Sequence, residues 1–188
     1  MISKPNIPFP RVAVYCAWLV ICTTAANARL STVAERCGAN TRQSPKWVFA
    51  DAAGKREWRP YSAPVDVPEI KTDAGESALV WTAGSRRLFV EINQPGEDFV
   101  VVSNYCYDKS GALIAFSLDV RTAWGWGYFE QGVVVNGSAE PTVSRFFNTK
   151  SEASIAKPLQ AADIPEALKP QVYLRKSSLP FAEFLVFP

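Results

Sequence analysis

The chain of 188 residues contains no histidine. Without imidazole there is no Ser-His-Asp or Cys-His catalysis and no metal site that needs a ring nitrogen. The side chain best suited to moving protons near neutral pH is missing too. Cysteine is scarce. Of the four present, Cys16 and Cys22 fall in an apolar N-terminal stretch, leaving Cys37 and Cys106 for the folded part. If those two pair with each other, no thiolate remains for nucleophilic attack or zinc. There is no Gly-x-Gly-x-x-Gly, no Gly-Lys-Ser/Thr phosphate loop and no calcium-loop spacing of acids. No cofactor and no metal are therefore expected, and few routes to an enzyme survive. Heptads, internal repeats and low-complexity tracts are also absent.

Charge of one sign is lacking as well. The chain has 20 Lys+Arg against 18 Asp+Glu. Lys4 and Arg11 lie in the N-terminal stretch and no acid does, so the remainder is neutral. A neutral chain without a basic block has no electrostatic footprint for nucleic acid or anionic lipid. Partners would be met through shape and through apolar or aromatic contact.

Residues 1–28 read as an address. Lys4 and Arg11 give a positive start, residues 12–26 are almost wholly apolar, and Ala26-Asn27-Ala28 fits the small-x-small pattern of signal-peptidase cleavage. The apolar run is about 15 residues, short of the roughly 20 that cross a bilayer. No later window is longer. The expectation is a signal peptide over 1–28 and a single secreted or periplasmic domain over 29–188. The alternative is an uncleaved N-terminal membrane anchor. Leu19-Val20-Ile21-Cys22 loosely resembles a lipobox, but Ile21 stands where a small residue is expected. In an oxidising compartment Cys37 and Cys106 form one disulfide, closing a loop worth roughly 4 kcal/mol on the chain-entropy model. A redox role would want a Cys-x-x-Cys pair, which is not there.

Ser31 and Thr32, with Glu35 three residues after Thr32, predict a short helix ended by Gly38, through which Cys37 ties the N-terminal piece to the body. Residues 40–75 are rich in Pro, Asp and Gly and carry Trp47, Phe49, Trp58 and Tyr61. They read as irregular, short strands or wrapped loop pinned by aromatics. From Glu76 the pattern becomes a meander, with runs at 77–82, 87–93 and 99–107 and then from Ala112 onward. Asp108-Lys109-Ser110-Gly111 suits a hairpin with a left-handed glycine. Between 114 and 128 the even positions are Ile114, Phe116, Leu118, Val120, Thr122, Trp124, Trp126 and Tyr128, while the odd ones are small or polar. That period of two predicts one strand, or two collinear strands, with one buried face and a bend or bulge between Arg121 and Gly127. Strands at 129–135 and 142–148 follow, joined by the connection 136–141. A short helix is expected over 163–168, and a C-terminal tail, 181–187, is apolar enough to dock. The fold class is mainly β to α+β, one antiparallel sheet of about six to eight strands with short helices near each end.

Three features carry chemistry. Asp119, with Ser117 and Arg121 beside it on the non-core face, is the weak catalytic candidate for a carboxylate-pair glycan hydrolase, with Glu91, Glu97, Asp98 and Glu130 as companions. The competing reading is a solvated Asp119–Arg121 surface pair. Trp124, Trp126 and Tyr128 could form a flat ligand platform, the glycines allowing close approach; if their strand runs straight they belong to the core instead. In Tyr105-Cys106-Tyr107 the cysteine faces the N-terminal helix and the tyrosines the other side. The function expected is an exported, non-enzymatic binding or structural module of the cell envelope that meets a polymer or protein partner through aromatic surface.

Overall fold

The computed structural model describes residues 32–51, 57–66, 75–158 and 171–185. The expected signal peptide and the expected helix over 163–168 lie outside them. Within them, one short helix, α1 (Val33–Cys37), precedes the strands β1 (Trp47–Asp51), β2 (Trp58–Tyr61), β3 (Glu76–Ala83), β4 (Arg87–Pro95), β5 (Phe99–Tyr107), β6 (Leu113–Thr122), β7 (Trp126–Val135), β8 (Ser138–Asn148) and β9 (Ser154–Ile155). All nine belong to one antiparallel sheet in the order β2-β1-β3-β4-β5-β6-β7-β8-β9. The single antiparallel sheet is as expected, a meander from β3 onward with β1 lying between β2 and β3. Its strand count exceeds six to eight because residues 40–75 supply β1 and β2 and a two-residue β9 lines part of β8.

Helix α1 has the local signals its sequence carries. Thr32 N donates to Glu35 Oε2 at 2.8 Å, and Glu35 N donates to Thr32 Oγ1 at 3.2 Å. Gly38 ends the helix in the left-handed region at φ 74°. Five residues cannot hold a helix alone. Burial of Val33 and Cys37 against Trp81, Phe89, Cys106 and Ala115 holds this one. The Cys37–Cys106 disulfide fixes it to β5, with Cα atoms 5.5 Å apart.

The opposite face of the sheet carries the main core. Register aligns Val80, Val90, Tyr105, Phe116 and Gly132 across β3 to β7. The Phe116 ring occupies the space that a side chain at Gly132 would need. The C-terminal segment 171–185 packs on this face. Phe181 stacks on Phe49 with centroids 4.7 Å apart and leans on Trp58 at 5.0 Å. Tyr105 Oη donates to the Gln171 carbonyl at 2.7 Å, and Tyr107 Oη to that of Tyr173 at 3.0 Å. Burial pushes both phenols' pKa up, Tyr107 furthest.

Two local expectations need correction. Residues 114–128 are not one strand or a collinear pair: β6 ends at Thr122, Ala123-Trp124-Gly125 turn the chain, and β7 returns from Trp126. A bulge at Cys106/Tyr107 also places Leu113 in the main core and Ile114 against the α1 cluster. The connection at 136–141 is also shorter than expected. Asn136 and Gly137, with φ of 52° and 80°, form a two-residue turn, and β8 starts at Ser138. Pro141 then lies inside β8, tolerated beside a bulge at Gln131/Gly132 where the ladder is already broken.

Two outcomes follow. Phe181→Ala is expected to cost about 3–5 kcal/mol, read from denaturant unfolding, because the ring fills the contact between Phe49 and Trp58. In the β5–β6 turn, Asp108 Oδ1 accepts bonds from Ser110 Oγ (2.6 Å), Ser110 N (2.8 Å) and Ala112 N (3.0 Å). The Ser110 hydroxyl, foremost among these, lowers the Asp108 pKa. A lowered folded pKa contributes stability above the unfolded value, about 3.9, and loses it as pH falls through the folded one. The stability gap between wild type and Asp108→Ala, measured at successive pH values, should therefore be widest above pH ~4 and narrow in acid.

Candidate functional site

The β6–β7 hairpin is a three-residue turn with Thr122 and Trp126 at its base. Thr122 Oγ1 donates to the Trp126 carbonyl at 2.6 Å. Ala123 N donates to the Asp98 carbonyl at 2.8 Å, and Thr149 N to that of Gly125 at 3.1 Å. Gly125 sits at φ 86°, a conformation that suits glycine. The turn is thus braced by the loops on either side of it. At its tip Trp124 is 56% exposed, whereas Trp126, at the start of β7, is 4% exposed.

The two indoles stack with centroids 6.2 Å apart and planes 28° from parallel. Trp126 then meets Phe146 edge-on at 6.1 Å, and Phe146 leans on Tyr128 at 5.0 Å. Tyr128 and Phe146 are half-buried. Tyr128 Oη donates to Glu130 Oε2 and lies 3.0 Å from Ser144 Oγ. Burial, followed by the bond to Glu130, raises the Tyr128 pKa. Trp126 Nε1 is buried without a hydrogen-bond partner. The three rings predicted as a platform are therefore brought together in unequal roles. Trp124 faces solvent, Trp126 backs it, and Tyr128 carries the polar end. The sequence marks Glu130 as a possible companion of Asp119 and carries no signal for Phe146 or Ser144. These two join through register, Tyr128 opposite Phe146 and Glu130 opposite Ser144, which sequence spacing alone does not reveal.

Asp119 lies on the other face. Its carboxylate binds Arg121 through Nε–Oδ1 and Nη2–Oδ2, both 3.2 Å, and Arg121 Nη1 reaches Glu152 Oε1 at 2.8 Å. The bond to Asp119 comes first among the causes that raise the Arg121 pKa. Arg121 and Arg145 both lie over the ring of Phe147, at 5.3 and 5.2 Å. Of the companion acids, Glu130 opposes Leu118 and so points to the opposite side of the sheet from Asp119. Glu97 and Asp98 stand exposed in the β4–β5 turn. Glu91 shares the face of Asp119 and is aligned with Asn104, Ser117 and Gln131. Asn104 Nδ2 donates to Ser117 Oγ at 3.3 Å, and burial raises the Glu91 pKa. None of these companion acids shares the row of Asp119, which aligns with Val102, Asn93 and Phe129.

Among the described residues, no set of three or more His, Cys, Asp or Glu is gathered as for a metal ion, and no helix is long and apolar enough to cross a membrane. Comparison with known protein families, characterised proteins and solved structures finds no match to this chain.

The hairpin's base depends on one missing side chain. A Cβ at Gly127 would meet the Phe147 ring and the Val120 carbonyl oxygen. Gly127→Ala is expected to destabilise the protein by about 1–3 kcal/mol, since the backbone oxygen cannot yield. Arg121→Ala, which breaks a half-exposed ion pair, should cost under about 1 kcal/mol in the same unfolding experiment.

Proposed function

We propose that the protein is an exported, non-enzymatic binding or structural module of the cell envelope, recognising a polymer or a protein partner through the aromatic hairpin tip. The observation that carries this reading is Trp124, an indole left largely exposed while a second indole, Trp126, is buried beneath it. An exposed tryptophan at a braced turn contributes little to folding. It is the kind of side chain that dominates recognition energetics, offering a large rigid surface at low entropic cost. Export is supported by the disulfide, a bond typical of oxidising compartments, and by the leader pattern of residues 1–28.

A carboxylate-pair hydrolase is the second reading, and Glu91, with its raised carboxyl pKa, is the one feature that favours it. Asp119 would have to act while held by two contacts from Arg121. That arrangement suits a structural ion pair better than an attacking or proton-donating group.

The test is retention on immobilised peptidoglycan, other envelope polymers and envelope protein extract. Wild type should be retained on at least one of these, and Trp124→Ala should lose that retention while its unfolding free energy stays within about 0.5 kcal/mol of wild type. Equal retention of both proteins, or retention of neither, would remove the reading.

A further inference from the structure

We infer that the group stacking on Trp124 is a neutral sugar ring of a glycan chain, an inference that rests on the binding reading above. The rings and the polar atoms beside them point the same way. Trp124 offers an exposed indole face, and the half-buried rings of Phe146 and Tyr128 continue the strip beyond Trp126. A pyranose presents a flat face of C–H bonds that packs on such rings, and its rim carries hydroxyls that both donate and accept.

The rim finds complementary groups here. At the other end of the strip, Tyr128 Oη, Glu130 and Ser144 form a linked set that offers carboxylate and hydroxyl acceptors. An apolar peptide side chain would stack on Trp124 equally well but would make no use of the carboxylate and hydroxyl acceptors at the other end of the strip. The carboxylate of Glu130 would repel a uronic acid, so the ring is neutral.

Isothermal titration of the whole protein with cellohexaose, mannohexaose, chitohexaose and a galacturonic acid hexamer tests the inference. At least one neutral hexamer is expected to bind, and the acidic one not. Trp124→Ala should weaken that binding about tenfold or more and Trp124→Phe much less. Glu130→Gln should weaken it a few-fold, and Lys109→Ala, in the turn at the opposite end of β5, should leave it unchanged. Circular dichroism confirms that each variant is folded. Failure of every neutral hexamer to bind overturns the inference, as does binding that ignores Trp124→Ala. Should the hexamers fail while wild type is still captured on envelope protein in a Trp124-dependent way, the sugar falls and the binding module stands. If neither sugar nor envelope material is held, both fall.

Discussion

Three consecutive residues of β5 tie both flanking segments to the sheet. Successive side chains in a strand point to opposite faces, so Cys106 emerges toward α1 while Tyr105 and Tyr107 emerge toward the C-terminal segment. The cysteine is covalently joined to Cys37, and the two phenols donate to the carbonyls of Gln171 and Tyr173. A strand near the middle of the meander thus anchors what comes before the sheet on one side and what comes after it on the other. With both faces covered at this point, the sheet has two apolar clusters back to back, and the rest of the molecule is arranged outward from them.

That double covering explains which elements the sequence announces and which it hides. The meander from β3 into β6, the Asp108–Gly111 hairpin and the capping box of α1 follow from local chemistry, the Cys37–Cys106 bond follows from those two being the cysteines outside the N-terminal stretch, and each is found. β1 is hidden because Val48, Phe49 and Ala50 are all buried, Phe49 in the main core and its neighbours beneath Tyr61 and Leu79. A strand covered on both faces shows no alternation. β2 is hidden by Pro60, which is tolerated there because β2 is the sheet's edge.

The β6–β7 hairpin is hidden in the sequence for a geometric reason. In an antiparallel pair, directly opposed residues share a face, and Arg121 opposes Gly127 as Val120 opposes Tyr128. A three-residue turn separates its flanking pair by an even number of positions. Even-numbered residues therefore stay on one face before and after the reversal, and a strict period of two runs through the turn unbroken. Only Gly125 and Gly127 mark the break, and they suit a bulge equally well. The consequence for the candidate site is large. In a straight strand Trp124 would be a core residue, whereas at the turn it belongs to neither face and is left in solvent.

The same geometry decides how rigidly that indole is held. Trp124 stacks on Trp126, whose backbone carbonyl is fixed by Thr122, and the turn's own backbone is bonded to the neighbouring loops at Asp98 and Thr149. Phe147 lies pressed on Gly127 directly behind the turn, flanked in turn by Arg121 and Arg145. Binding costs free energy in proportion to the side-chain freedom it removes, and the stack of Trp124 on Trp126 removes part of that freedom beforehand. The ion pairs on the face of Asp119 thus bear on the turn indirectly, by holding the ring that supports the hairpin. Preorganisation of this sort favours a ligand that adds contact without reshaping the turn, which is how a flat ring laid on an indole would bind.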